Sequence, residues 1–174
     1  HHEYEAISKM YEEGNVSIPI KAFFGELLKQ VDRRKNYPIT LLDKKINLDQ
    51  LLAIHNAMKY PLAYIQGPPG TGKTNTIVNT IVTAFFNEKT VLFVSYNNHP
   101  INGVYEKLKS IRYRNKGVIP FPIVRLGNDT WVLQALNDIK ELYERTKDIV
   151  IYNSTLERNK DDKTRRTEEL TKLL

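Results

Sequence analysis

The stretch Gly67-Pro68-Pro69-Gly70-Thr71-Gly72-Lys73-Thr74 restricts what this chain can fold into more than any other. It matches G-x-x-x-x-G-K-[ST], a loop whose glycines let successive backbone N–H groups turn inward around a polyphosphate. Both flanks fit. Leu62-Ala63-Tyr64-Ile65-Gln66 reads as a short buried strand. After the loop, Ile77, Ile81 and Phe85 recur every four residues beside Val78, Val82 and Phe86, the pattern of a buried helix. A helix that begins beneath the phosphates adds its free N–H groups and positive dipole end to the attraction. Lys73 is then placed to reach the β- and γ-phosphates and the Thr74 hydroxyl to ligate Mg²⁺. The expected ligand is a nucleoside triphosphate with Mg²⁺. Gly67, Pro68, Pro69, Gly70, Thr71, Gly72, Lys73 and Thr74 cradle it, and Lys73 and Thr74 are the catalytic candidates.

Other elements arrange themselves around this loop. Asn47-Leu48-Asp49-Gln50 fits a capping box, and the helix it opens runs to about Met58 with Leu51, Ile54 and Met58 inside. Val91-Leu92-Phe93-Val94 reads as a second buried strand, so strand, helix and strand predict a parallel, right-handed crossover. Ser95 to His99 then forms a polar loop at the carboxyl edge of that strand, where open α/β sheets bind ligands. Pro100 suits the first turn of a helix with Ile101, Val104, Leu108 and Ile111 on its apolar face. Ile119 to Leu126, interrupted by Pro120 and Pro122 and carrying Arg125, is a third strand candidate. A helix from Trp131 to about Arg145 shows Val132, Leu136, Ile139 and Tyr143 on one side.

The ends are different. Residues 3 to 35 read as two helices, one marked by Ile7, Met10 and Tyr11, the other by Phe24, Leu27, Leu28 and Val31. The run Arg33-Arg34-Lys35 closes the second as a solvated helix end, and His1-His2 has the look of a tag remnant. From Glu157 onward most residues are charged, with Leu156, Leu170 and Leu173 too sparse for a core, so an exposed helical arm is expected. Three segments result: a helical one over 1–40, a nucleotide-binding one over 41–146 and a charged helical arm over 147–174. The chain has 174 residues, no cysteine and a formal charge of +6. No apolar run is long enough for a membrane span, disulfides and thiolate zinc sites are excluded, and a reducing cytoplasm is suited. The positive charge favours a polyanionic partner.

Beyond the loop itself, three blocks resemble the 1B branch of superfamily 1 DNA and RNA helicases. Asn47 to Ile54 with Tyr64-Ile65-Gln66-Gly67 resembles the L-N-x-x-Q-x-x-A-[IV] element and the I-Q-G-P-P-G-T-G-K-T that comes after it, with Ile46 standing where leucine is usual. Ser95-Tyr96-Asn97-Asn98-His99-Pro100-Ile101-Asn102-Gly103-Val104 with Glu106-Lys107-Leu108 is similar to A-P-S-N-x-A-x-D-x-L and its helix. Tyr96, Asn97, Pro100 and Asn102 depart from that pattern. Ile123-Val124-Arg125-Leu126-Gly127 resembles the strand that comes next. The resemblance implies a RecA-like P-loop fold: an α/β, three-layer core with a parallel sheet, incomplete here, carrying N-terminal helices and a charged helical C-terminal arm.

It implies too that Gln50 reads the adenine edge, a role that stands beside its place in the capping box. Asn97 and Asn98 become contacts for single-stranded DNA or RNA. An AAA+ ATPase shares the loop sequence but should add an apolar strand ending in Asp-Glu, and no apolar run here ends that way. In the helicase branch a stalk-bearing insertion precedes those carboxylates, and Glu157 onward is similar to its start. The expected partners are therefore a nucleic-acid strand and the remainder of a longer chain with a second RecA-like domain, and no membrane. On this reading the chain binds nucleotide without turning it over. A stand-alone non-catalytic nucleotide-binding module, or a piece of another P-loop ATPase, is the alternative.

Overall fold

A computed structural model describes residues 2–26, 37–42, 45–112, 117–149 and 153–172. Helix α1 (His2–Glu12) carries Glu3 and Glu5 in its first turn and Lys9 in its last, charges that complement the helix dipole. It ends at Gly14, whose φ of +71° suits a residue without a Cβ. Helix α2 (Ile18–Phe23) is only a turn and a half, and neither helix buries a residue. Phe24 comes after α2 and meets the Tyr11 ring edge-on at 6.2 Å. The rest of the expected second stripe (Leu27, Leu28 and Val31) and the run Arg33-Arg34-Lys35 lie outside the described residues.

Helix α3 (Leu48–Lys59) starts as its sequence predicts. Asn47 Oδ1 accepts from the Gln50 backbone N–H at 2.8 Å, and Gln50 Oε1 accepts from the Asn47 N–H at 3.2 Å. Leu51 and Ile54 are its buried positions, and they form a small core with Ile39, flanked by Leu41 and Ile46.

Helix α4 (Lys73–Phe86) is the centre of the fold, packing against α3 on one side and α5 (Asn98–Lys109) on the other. Val78 and Val82 meet Val104 and Leu108 to form the main core, with Ile77, Ile81, Phe93, Ile111, Phe121 and Ile123 around it. Each such side chain contributes about 1.5–3 kcal/mol by leaving water. Phe85 and Phe86, expected inside, are 42 % and 50 % exposed at the helix end. A polar stripe at four-residue spacing holds residues 37–42 to the same helix. Asn79 Oδ1 accepts from the Leu42 N–H, Thr83 Oγ1 both accepts from the Thr40 N–H and donates to the Thr40 carbonyl, and Asn87 Nδ2 donates to the Pro38 carbonyl. The side chains of α4 thereby replace a neighbouring strand for this stretch.

The parallel sheet expected from Leu62–Gln66, Val91–Val94 and Ile119–Leu126 is not formed: the described residues contain no strand, only one antiparallel bridge between Arg112 and Val118. Nor are these runs buried on both sides. Phe93 packs on the α4–α5 core while its neighbours Leu92 and Val94 are 84 % and 73 % exposed. Phe121 and Ile123 pack inward, while Val124 and Leu126 face outward, and Tyr64 and Ile65 are exposed as well. Pro120 and Pro122 withhold two ladder donors. A parallel sheet is stable when helices cover both faces, and here helices cover one.

Helix α6 (Asp129–Thr146) is capped by Asn128, whose Oδ1 accepts from the Trp131 N–H at 3.0 Å. Its expected inner face is reversed. Val132, Leu136, Ile139 and Tyr143 are exposed, and the helix instead turns Ala135 inward, with Trp131, Asp138 and Leu142 half-buried. The reason is polar: Asp138 Oδ2 accepts from both the Tyr105 hydroxyl and Lys109 Nζ at 2.8 Å, and Oδ1 accepts from Gln134 Nε2 at 2.9 Å. That cluster anchors α6 to α5 in preference to its apolar side. Helix α7 (Asn153–Lys172) is the charged arm. The side chain of Leu156, that of Leu170, and Leu173 lie outside the described residues. No helix among the described residues is long and apolar enough to cross a membrane.

Candidate functional site

The loop Gly67–Gly72 is built as a self-supporting turn. Thr71 donates to the Pro68 carbonyl from its hydroxyl at 2.8 Å and from its backbone N–H at 3.4 Å. Gly70 at φ +82° and Gly72 at φ +78° take the left-handed conformation that a residue without a Cβ adopts at no steric cost. Gly67 is needed for space: a Cβ there would meet Thr71 Oγ1 at 2.9 Å and Lys73 Cγ at 3.0 Å.

Helices α3 and α6 each have an asparagine side chain closing their first turn, whereas α2, α5 and α4 have no side-chain cap, α4 beginning on Gly72. Its first N–H groups are therefore left for a ligand. Lys73 Nζ lies back across the loop, donating to the Gly67 carbonyl at 2.7 Å and the Pro68 carbonyl at 2.8 Å. Two carbonyl oxygens thus satisfy donors that phosphate oxygens could take over. Thr74, half-buried in the first turn, sits against α5, where a Cβ added to Gly103 would lie 3.9 Å from Thr74 Cγ2.

Gln50 joins the loop from α3. Its Nε2 donates to the Thr71 carbonyl at 2.8 Å while its Oε1 remains in the capping box. A Cβ on Gly72 would collide with that Nε2 at 2.6 Å, so Gly72 makes room for Gln50 as well as for the turn. The structure therefore brings Gln50, Gly67, Thr71, Gly72 and Lys73 into one bonded unit.

Asn97 and Asn98 form a second locus. Asn97 precedes α5 without capping it, its N–H donating to Ser95 Oγ at 3.3 Å, and Asn98 opens the helix with its side chain exposed. Tyr96 beside them is fully exposed. Helix α5 runs from this loop past the P-loop helix, where Lys107 Nζ donates to Asn75 Oδ1. One rigid element thereby spans both loci. Two residues here were not singled out by sequence as site residues. Lys107 carries no signal beyond its charge. Arg125 is buried and donates to Asn98 Oδ1 at 3.5 Å, and a lone arginine inside an apolar run was its signal.

The model of the family described as AAA domain matches residues 45–173, most of the chain and every element of both loci. The chain belongs to the AAA-domain family. This AAA domain is 39 % identical over 88 residues to an uncharacterized ATP-dependent helicase of Mycoplasma genitalium, a match covering 51 % of the chain and 8 % of the relative. It is 29 % identical over 109 residues to the DNA polymerase alpha-associated DNA helicase A of Schizosaccharomyces pombe, covering 62 % and 15 %. The RNA helicase aquarius of Mus musculus matches at 36 % over 91 residues, covering 51 % and 6 %. The chain thus spans less than a sixth of the length of these relatives. No solved structure matches the AAA domain. The resemblance to superfamily 1 helicases holds, and these relatives are named ATP-dependent, DNA and RNA helicases.

Proposed function

We propose that this AAA domain binds ATP with Mg²⁺ at Gly67–Thr74 and single-stranded nucleic acid at Ser95–Asn98, as the nucleotide-binding half of an ATP-driven helicase or translocase. The observation that carries the reading is the left-handed Gly70–Gly72 loop at the start of α4, with Lys73 and Gln50 both bonded back onto it. Gly70, Gly72 and the first turn of α4 supply N–H donors for the phosphates. Lys73 exchanges the carbonyls of Gly67 and Pro68 for phosphate oxygens, and Gln50 reaches the base side from α3. The described residues hold no cluster of three or more His, Cys, Asp or Glu. Thr74 would hold Mg²⁺ together with the phosphates, and the ion would supply charge neutralisation there.

Asn97 and Asn98 offer side-chain amides to phosphates and sugars, contacts that position a strand without reading its sequence. The names of the relatives divide between DNA and RNA helicases, and this backbone mode suits either. The three extended segments become a parallel RecA-like sheet once a second helical layer and a neighbouring domain of the longer protein cover their bare side. The charged α7 fits the start of a stalk, and the cytoplasm fits the absence of cysteine.

Thermal unfolding with and without ATP–Mg²⁺ tests the nucleotide site. Ligand at a hundredfold excess over Kd should stabilise the native chain by about 2.7 kcal/mol. Lys73→Ala should remove most of that shift and leave the ligand-free melting temperature nearly unchanged. An equal shift in the variant would refute the assignment of the P-loop.

A further inference from the structure

Arg125 is 8 % exposed, and among the described residues no carboxylate pairs with it. A buried guanidinium is costly unless something holds it. Two groups do. Its central carbon lies 3.6 Å from the centroid of the Trp131 ring, the close face-on approach of a cation–π stack. Its Nη2 donates to Asn98 Oδ1 at 3.5 Å. Trp131 is itself steadied by Tyr105, whose ring meets it edge-on at 6.3 Å, and Tyr105 is tied to α6 through Asp138. Three parts of the fold therefore converge on one guanidinium: the Ile123–Gly127 stretch, the start of α5 and the start of α6.

The chemistry of an amide gives this arrangement a consequence. The two ends of an asparagine side chain differ, one accepting and one donating, and a free amide on the surface turns between them at little cost. Arginine has only donors, so it can bond only to the oxygen end. We propose that Arg125 is a positioning residue for strand binding: stacked on Trp131, it fixes the Asn98 amide with Oδ1 inward and the Nδ2 hydrogens available to phosphate or sugar oxygens of a single-stranded nucleic acid. This rests on the reading of Ser95–Asn98 as the strand contact. Lysine could keep the charge but neither the planar stack nor the directed fork.

The test uses the 174-residue chain and a fluorescently labelled single-stranded oligonucleotide followed by anisotropy. Arg125→Lys should weaken binding roughly twofold, the loss expected when about half of the Asn98 amides present Nδ2 outward. Asn98→Ala should weaken it roughly five- to tenfold, the loss expected for one hydrogen bond to a ligand, and the double variant by no more than Asn98→Ala alone, because Arg125 acts through that amide. Trp131→Ala should move affinity in the same direction. The ATP–Mg²⁺ melting shift of Arg125→Lys should match that of the parent, which separates a positioning effect from a damaged fold. Trp131 is the sole tryptophan, so its emission should change in Arg125→Lys as the stack is lost. Parental oligonucleotide affinity in Arg125→Lys, or losses that add in the double variant, would overturn the proposal while leaving the strand-binding reading in place. A parent chain that binds no oligonucleotide would overturn both, and that result is read before any variant is made.

Discussion

Gln50 has both ends of its side chain committed, Oε1 to the Asn47 N–H and Nε2 to the Thr71 carbonyl. Each end keeps capacity for one more bond, because the amide nitrogen carries two hydrogens and the oxygen two lone pairs, so Gln50 can meet an adenine edge while still bonded to the P-loop. Replacing it separates the roles. We expect Gln50→Ala to weaken ATP by about 1–3 kcal/mol, the cost of an unpaired ligand edge, and to weaken inorganic tripolyphosphate much less. Parallel titrations of both ligands on both proteins decide it, and equal losses would leave Gln50 with cap and loop alone. At this scale the sequence was informative wherever a residue had a geometric reason to be there. The Asn47–Gln50 box and the spacing Gly67, Gly70, Gly72 each encode a backbone conformation, and both were legible. Arg125 was not, because hydropathy treats an arginine in an apolar run as an interruption. Its burial is explained only in three dimensions, by the Trp131 ring stacked on it and the Asn98 oxygen it donates to.

Helices were easier to read than the faces they bury. The four-residue recurrence in α4 and α5 marks Val78, Val82, Val104 and Leu108, and all are in the main core. In α6 the same reasoning chose Val132, Leu136, Ile139 and Tyr143, the side that points outward. Periodicity registers apolar area and is blind to a half-buried carboxylate with specific partners. Those partners set the titration of Asp138. Burial pushes its pKa up, but the hydrogen bonds from Lys109, Gln134 and Tyr105 outweigh that and leave it below the usual value. For Lys109 burial pulls the pKa down, and the bonds with Asp138 and Tyr105 outweigh it to give a net rise. A depressed carboxylate stabilises the fold above its ordinary pKa, near 4, and ceases to do so as the pH falls through the folded value. The raised lysine contributes below its ordinary pKa and loses that contribution as the pH climbs through its own folded value. Asp138→Asn should therefore cost about 1–3 kcal/mol at pH 7, and the gap from the parent should narrow on acidification. Urea unfolding at neutral pH and near pH 3 measures both, and a gap independent of pH would contradict the ionic role.

At the level of the whole molecule, the order of elements was legible and the sheet was not. Apolar runs such as Val91–Val94 carry residues for two faces, and sequence cannot say whether both faces are covered in a given chain. Here α4 and α5 cover the side of Phe93, Phe121 and Ile123, while Leu92, Val94 and Leu126 meet solvent. That bare side governs how copies of the chain behave toward each other. The formal charge of +6 holds them apart in dilute buffer, where charges act over tens of ångströms, but at 1 M salt the reach shrinks to about 3 Å. Adhesion of the apolar side chains then goes unopposed. Light scattering should show a hydrodynamic radius that grows with sodium chloride concentration, and Leu92→Lys with Val94→Lys should flatten the rise. A radius indifferent to salt in the parent chain would mean that these side chains find no company in solution.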